Sequence, residues 1–355
     1  PRIDFSDDAN GALLLEPTST NLITYSEDFS NAVWTKGGVS ISSSGISPSG
    51  SISTLLTEDT SNGEHRIYHN NISVSSGVVY TDSFYIKANG RSKIRLNYGG
   101  FNNYEPKFDF VNNILISSAG GTTATIKSVS VGNGWFKVSV TDTTTITTLR
   151  GVISLMKDDG SFAYVGNGTS GVYIFGAQVE QNSYATSYIK NAGTALGVTR
   201  VADTATGSGN STVINSSEGV LYAEISALAE TNLFESISLN NNSISDRVFM
   251  GYYYDDLYIT VYVGGQVKYD VSTPISVKQN NKIAIKYKAQ DFSLYLNGSE
   301  INASVGINGG TTPIGLSQLS FNRGDGVEPF YGKVKDLRVY TTALSDSELA
   351  ILTTI

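Results

Sequence analysis

The chain contains no cysteine, which excludes disulfide frameworks, thiolate zinc sites and cysteine nucleophiles and leaves the core to hold by packing alone. Histidine, methionine and tryptophan occur only twice each in 355 residues. Positive charge is short as well: 24 Lys and Arg face 32 Asp and Glu, for a formal net charge of −8. The phosphate neutralisation that dominates nucleic-acid binding therefore has no global support, and DNA or RNA is not an expected partner. An acidic surface favours solubility and leaves open oxygen-ligated cations such as Ca²⁺. No apolar run approaches the roughly 18 residues of a membrane-spanning helix, so no membrane insertion is expected. The opening PRIDFSDD also lacks the basic and apolar parts of a signal peptide.

What is present is 36 Gly, 21 Tyr and 14 Phe among abundant Ser, Thr, Asn and Val. This mixture suits many short strands joined by polar turns and predicts an all-β chain. Apolar and polar residues alternate in residues 79–86 (VYTDSFYI), 93–98 (KIRLNY), 135–140 (WFKVSV) and 171–176 (GVYIFG), the spacing of an antiparallel sandwich. Residues 191–217 then lose periodicity and read as a linker. Alternation resumes at 220–225 (VLYAEI) and is clearest at 257–263 (LYITVYV), where Leu257, Ile259, Val261 and Val263 share one face. Residues 282–287 and 292–296 follow, and Asn297-Gly298 predicts a tight hairpin back onto Glu300 and Ile301. Residues 330–340 read as a strand, and Ser345 with Glu348 has capping-box spacing ahead of one short C-terminal helix. The expected organisation is a lead-in over 1–20, a sandwich over 21–190, the linker, and a second antiparallel β-sandwich over 218–355. No repeat relates the two halves.

Residues 13–36 (LLLEPTSTNLITYSEDFSNAVWTK) resemble the opening of a domain common in bacteriophage tail and other virion-surface proteins, and residues 176–189 (GAQVEQNSYATSYI) with 198–203 (VTRVAD) resemble its end. That resemblance implies a carbohydrate-binding-module-like jelly roll, a phage or virion origin, and a Ca²⁺ site as a property of such jelly rolls. Residues 292–298 (FSLYLNG) and 330–349 resemble the concanavalin A-like lectin/glucanase superfamily, in its laminin G-like branch. That fold serves lectins, adhesion modules and glycosidases alike, so it does not decide function.

Glycosidases of this superfamily carry a Glu-x-Asp-x-x-Glu alternation that aims paired carboxylates into one cleft. The chain lacks that spacing. Asp255 and Asp256 are adjacent, would face opposite sides of a strand, and beside Gly251 and three tyrosines mark a turn. His65 and His69 are the only imidazoles and read as solvated or hydrogen-bonded side chains. No phosphate-binding Gly loop or nucleophile elbow is present, and no catalytic residue is assigned.

Sugar recognition needs flat rings to stack on C–H faces and fixed polar groups to bond hydroxyls. Tyr98, Phe101, Asn102 and Tyr104 form a Gly-Asn loop with three aromatics, open to loop packing or ligand contact. Arg91, Lys93 and Arg95 fall at period two and suit an acidic sugar, a neighbouring subunit or a plain solvated edge. Trp34 and Trp135 read as packing residues. Tyr258 and Tyr262 stand opposite the core positions of residues 257–263, with Tyr295 in the matching phase of a later strand. Arg323 and Asp325, within an Arg-Gly-Asp tripeptide, read as hydrogen-bonding groups on the rim.

The function these features suggest is a non-catalytic, virion-associated adhesion module that binds host surface polysaccharide, on a virion surface or otherwise extracellular. Weak single contacts would be compensated by multivalency, so a homo-oligomer, such as a trimer, is expected, alongside other virion proteins. A structural decoration or fibre protein acting through homotypic contacts is the second reading, and a polysaccharide-degrading enzyme or its accessory module the third.

Overall fold

The structure, a computed structural model, describes residues 1–5, 9–121, 123–302 and 311–355. The chain forms two compact units: Thr18–Val201, and Pro1–Pro17 together with Ala202–Ile355. They are called here the inserted unit and the split unit.

The inserted unit is built on two six-stranded antiparallel sheets. One runs, edge to edge, Thr125–Gly132, Trp135–Thr143, Val79–Asn89, Gly171–Glu180, Ile52–Glu58 and Val39–Ile46. The other runs Ile114–Ser117, Lys107–Asp109, Lys93–Tyr98, Gly151–Met156, Arg66–His69 and Trp34–Gly37. Period-two alternation gives each sheet one apolar face. Leu56, Phe84, Ile86, Val138, Val140, Val172 and Ile174 of the first meet Ile67, Ile94, Leu96, Phe108, Ile153 and Leu155 of the second in one core.

The split unit pairs a seven-stranded with a five-stranded sheet. The larger runs Arg2–Asp4, Ala12–Leu15, Gly332–Tyr340, Glu218–Ala227, Asn281–Lys288, Ser293–Leu296 and Ser299–Ile301. The smaller runs Gln266–Pro274, Asp256–Val263, Arg247–Tyr253, Glu235–Asn240 and Gln318–Ser320. Leu221, Ala223, Ile283 and Ile285 of the larger sheet pack on Ile237, Val248, Leu257, Ile259 and Val261 of the smaller. The Asn-Gly hairpin forms as its sequence dictates: Asn297 (φ 51°) and Gly298 (φ 88°) are both left-handed and return the chain into Ser299–Ile301. The helix Asp346–Thr353 starts on a reciprocal capping box, with the Ser345 amide donating to Glu348 Oε2 at 2.8 Å. It docks Leu349 against Val220, Tyr222, Ala284 and Tyr295, on the face of the larger sheet away from the core.

Two segments differ from the sequence expectation. Residues 1–17 are not a lead-in: Leu13 pairs with Val334 and Leu15 lies fully in the split-unit core. Residues 191–217 are not a free linker either. Val198–Arg200 pairs with Ser19–Asn21 in the inserted unit, Ser208 bridges to Leu319, and Ile214 is buried in the split-unit core. Such pairings join stretches far apart in sequence, and local periodicity carries no sign of them.

Candidate functional site

The strand Asp256–Val263 buries Leu257, Ile259 and Val261 completely and turns Tyr258, Thr260 and Tyr262 to the opposite, outer face of the five-stranded sheet. Pairing sets Arg247 beside Tyr262, Gly251 beside Tyr258 and Asp270 beside Thr260. The Arg247 guanidinium carbon lies 4.1 Å from the Tyr262 ring centroid and 5.4 Å from that of Phe249, a cation–aromatic sandwich. Burial is the main influence on Arg247 and depresses its pKa, with Tyr262 opposing. Its Nε is buried and has no hydrogen-bond partner. An unsatisfied guanidinium N–H costs stability, and here it sits beside an exposed aromatic face.

The loop after Gln318–Ser320 supplies the polar rim. Arg323 donates from Nε (3.2 Å) and Nη2 (2.8 Å) to the two carboxylate oxygens of Asp325, and from Nη1 to Glu328 Oε1 at 2.9 Å. The carboxylate holds Arg323 above its ordinary pKa, and Arg323 holds Asp325 below its own. Asn322 is buried, and its Oδ1 accepts from the Gly324 amide at 2.7 Å. Gly324 has φ 108°, and a β-carbon there would lie 2.9 Å from the Ser243 carbonyl oxygen, so only glycine fits. The Arg-Gly-Asp tripeptide is thus folded on itself, its cation and anion spent on each other.

At the other end of the face, Phe234 stacks on Tyr253 (4.6 Å, 14°) and meets Tyr258 edge-on at 5.2 Å. Tyr254 lies 4.8 Å from Tyr253, is 54 % exposed and holds a left-handed φ of 51° in the tight turn before Asp256. Asp255 and Asp256 therefore occupy a turn and a strand start. The result is an aromatic ledge of Phe234, Tyr253, Tyr254 and Tyr258, continued through Thr260 to the Tyr262–Arg247 pair and the Arg323–Asp325–Glu328 rim.

Of the residues singled out from sequence, Tyr258, Tyr262, Arg323 and Asp325 share this unit, with Arg247 linking the Tyr262 ring to the Arg323 loop through a 3.5 Å bond to the Arg323 carbonyl. The others do not form a ligand surface. Tyr295 is buried beneath the C-terminal helix. Tyr98, Phe101 and Tyr104 fill the inserted-unit core. Left-handed Asn102 and Asn103 turn the loop so that its rings fold inward, and only the two asparagine side chains are exposed. Arg91 is sunk in a two-toothed pair with buried Glu58, at 2.9 and 2.7 Å. Lys93 bonds to Asp158, and Arg95 bonds to Glu105 and lies over Phe162. These three cations are neutralised in place and are not arrayed toward a ligand.

His65 is fully buried, with Nδ1 2.6 Å from the Gly38 carbonyl oxygen and Nε2 3.1 Å from that of Tyr164. His69 bridges Asn70 and Thr24. Among the described residues, no three His, Asp or Glu side chains gather as metal ligands. Trp34 and Trp135 are both buried and donate to backbone carbonyls of Tyr25 and Ile46. Sequence reading missed Arg247, Phe234 and Tyr253. The Tyr252–Tyr254 run was visible, but which tyrosine faces outward depends on strand register, and Arg247 joins Tyr262 only across a strand pair.

Residues 225–350 match the concanavalin A-like lectin/glucanases superfamily. The match spans well under half of the chain and contains the whole ledge and rim. Among solved structures, the chain is similar to the Ruminococcus gnavus IT-sialidase CBM40, at 19 % identity over 42 % of this chain and 94 % of that one, with a TM-score of 0.35. It is also similar to domains LG4-5 of the mouse laminin α1 chain (12 % identity, 77 % and 88 % covered, TM-score 0.29). A third is the CBM22-1–CBM22-2 tandem of Paenibacillus barcinonensis Xyn10C (11 %, 92 % and 99 %, TM-score 0.29). No curated protein matches the chain. Among the described residues, no helix is long and apolar enough to cross a membrane.

Proposed function

We propose that the chain is a non-catalytic, extracellular binding module that captures cell-surface glycan on the outer face of its five-stranded sheet. The observation that carries this reading is the ledge of half-exposed rings running from Phe234 and Tyr254 to Tyr262, ending at the polar rim of Arg323, Asp325 and Glu328. Rings offer stacking surface to sugar C–H faces, and the fixed, partly exposed charged groups of the rim offer bonds to hydroxyls. The superfamily matched by residues 225–350 includes lectins in its name. Its glucanase half needs two carboxylates free to flank a scissile bond, whereas Asp325 and Glu328 are both held by Arg323. The resemblance of residues 13–36, 176–189 and 198–203 to virion-surface domains supports a place on a phage particle, where linked copies raise avidity.

A glycan-array screen of the chain beside its Tyr258→Ala/Tyr262→Ala double variant tests this. Loss in the folded variant of a glycan that the native chain selects supports the reading, and a glycan profile identical to the native one, or no binding with a multimerised chain, refutes it. A second reading, assembly through protein contact, is favoured by Leu233, 68 % exposed next to Phe234. Self-association abolished by Leu233→Ser, with no glycan response, would establish that reading instead.

A further inference from the structure

We infer that the inserted unit carries a second, independent binding groove, built for a neutral oligosaccharide, at the open edge of its first sheet. The edge hairpin Val39–Ile46/Ile52–Glu58 continues the core-facing phase from Ile41 and Leu56 to Ser43, Thr54 and Ile52. Leu56 is fully buried, yet Ile52, two pairs further along the same phase, is 68 % exposed. The core-facing side of the hairpin therefore runs out into an uncovered groove of about 520 Å³, within the range of roughly 300–1,000 Å³ that holds small organic ligands.

The facing wall is the segment from Tyr25 to Ser30 with Lys190 to Ala192. Tyr25 sits at φ 51°, a strained conformation for a bulky residue that persists only where the surroundings enforce it. The surroundings do so: the Trp34 indole donates to the Tyr25 carbonyl at 3.0 Å, and the Tyr25 ring lies over Gly193, where a β-carbon would come within 2.8 Å of Cζ. Across the groove the hairpin bulges between Ser43 and Ile46, a device that re-aims side chains at sites of function.

The chemistry of the lining selects the ligand. Ile41, Ile52 and the Tyr25 ring give an apolar floor, and Tyr25, Ser42, Ser43 and Thr54 bring side-chain hydroxyls to the lining, with Ser42 and Ser43 exposed. On the rim, Lys190 is paired with Glu27 at 2.6 Å, and Asp28 Oδ1 takes the Ser30 amide at 3.1 Å. Glu27 and Asp28 line the groove, and a carboxylate there is a strong acceptor for sugar hydroxyls. Glu27 and Asp28 are matched by Lys190 and by Lys36, whose Nζ donates to the Ser30 carbonyl at 3.1 Å, so the rim has no net charge to draw in uronate, sulfated or phosphorylated glycans and suits neutral ones.

The test is backbone-amide shift mapping of the whole chain with cellotriose, maltotriose, chitotriose and trigalacturonate at millimolar concentration, repeated on Ser43→Phe, which fills the groove from an exposed position. The expected result is saturable shifts at Tyr25, Ser43, Thr54 and Lys190 for a neutral trisaccharide. Ser43→Phe should weaken binding at the groove at least about tenfold, and the Tyr258→Ala/Tyr262→Ala variant should leave the shifts at Tyr25, Ser43, Thr54 and Lys190 unchanged. Shifts confined to the split unit, stronger binding of trigalacturonate, or equal binding by a folded Ser43→Phe variant would overturn the inference. So would no response of the native chain to any neutral trisaccharide. A response only to an extended peptide laid on the free edge Val39–Ile46 would overturn it in favour of strand addition.

Discussion

Asp82 should make the inserted unit less stable as pH rises from mildly acidic to neutral, and Asp82→Asn should abolish that loss. The carboxyl lies inside the core, packed against Gly151 so closely that a β-carbon there would collide with Oδ2. Burial pushes it from an ordinary 3.8 up to about 7, with the Tyr98 hydroxyl as the one side chain opposing that rise. Below about pH 4 both folded and unfolded chains hold the proton. Between about 4 and 7 the unfolded chain releases it and the folded chain does not, so stability falls by about 1.4 kcal/mol per pH unit, or about 4 kcal/mol in all. Asp82→Asn keeps the shape and removes the charge, so its advantage over the native chain should grow across that window and level off above about pH 7. Urea unfolding followed by tryptophan fluorescence is the assay, because Trp34 and Trp135 are the only tryptophans and both belong to the inserted unit. Equal pH slopes for the two proteins at unchanged m-value, or an Asn variant less stable at pH 8, would show that the carboxyl is not buried as described.

In the split unit Glu235 is pushed up to about 8 by burial, with Oε2 lacking a partner. Glu235→Gln should therefore raise that unit's calorimetric stability by more than about 1 kcal/mol at pH 9 and leave it unchanged below about pH 4. Arg91→Ala strands buried Glu58, whose charge burial opposes and whose pKa bonds from Arg91, Asn167 and Tyr164 nevertheless hold below ordinary. The loss expected is about 3–5 kcal/mol in the tryptophan-detected transition, and a loss under about 1 kcal/mol would mean the pair is solvated. Ser345→Ala removes the capping box and should cost the split unit about 1 kcal/mol, seen as a lower calorimetric midpoint. Leu15→Ala should cost about 2–5 kcal/mol in that same transition while the tryptophan signal keeps its midpoint, the reverse of what an inserted-unit core residue would give.

The sequence disclosed features whose physics is local. Alternation in residues 257–263 separated Leu257, Ile259 and Val261 from Tyr258 and Tyr262, Asn297-Gly298 announced its hairpin, and Ser345 with Glu348 announced the helix start. Features set by distant partners stayed hidden. Tyr295 has the phase of an exposed side chain, but its face is covered by the C-terminal helix, and no strand pattern records what docks on it. Arg91, Lys93 and Arg95 have the spacing of one face, yet the strand begins at Lys93 and Arg91 meets Glu58 of the other sheet. The aromatic loop 98–104 looked exposed because Gly and Asn surround it, and two left-handed asparagines reverse that reading by folding the rings into the core. Arg247 was invisible for the plainest reason: a lone arginine gains meaning only when register sets it against Tyr262.

The order of segments along the chain makes the coupling between the units unequal. Bringing the Glu16 amide to Asp203 Oδ2 (2.9 Å) closes a loop of 187 positions, an entropy cost of about 4–5 kcal/mol for a flexible chain. When the inserted unit is folded, that cost has already been met. Its two ends are clasped by the ladder of Ser19–Asn21 on Val198–Arg200 and by the Thr20–Thr199 hydroxyl bond of 2.8 Å. The N-terminal strands Arg2–Asp4 and Ala12–Leu15 then need only pair locally. Unfolding the inserted unit returns the closure cost to those strands and weakens their hold on Gly332–Tyr340, whereas loosening them leaves the ladder of the inserted unit intact. Stabilisation by Asp82→Asn should therefore extend to the N-terminal strands, and damage at Leu15 should not travel the other way.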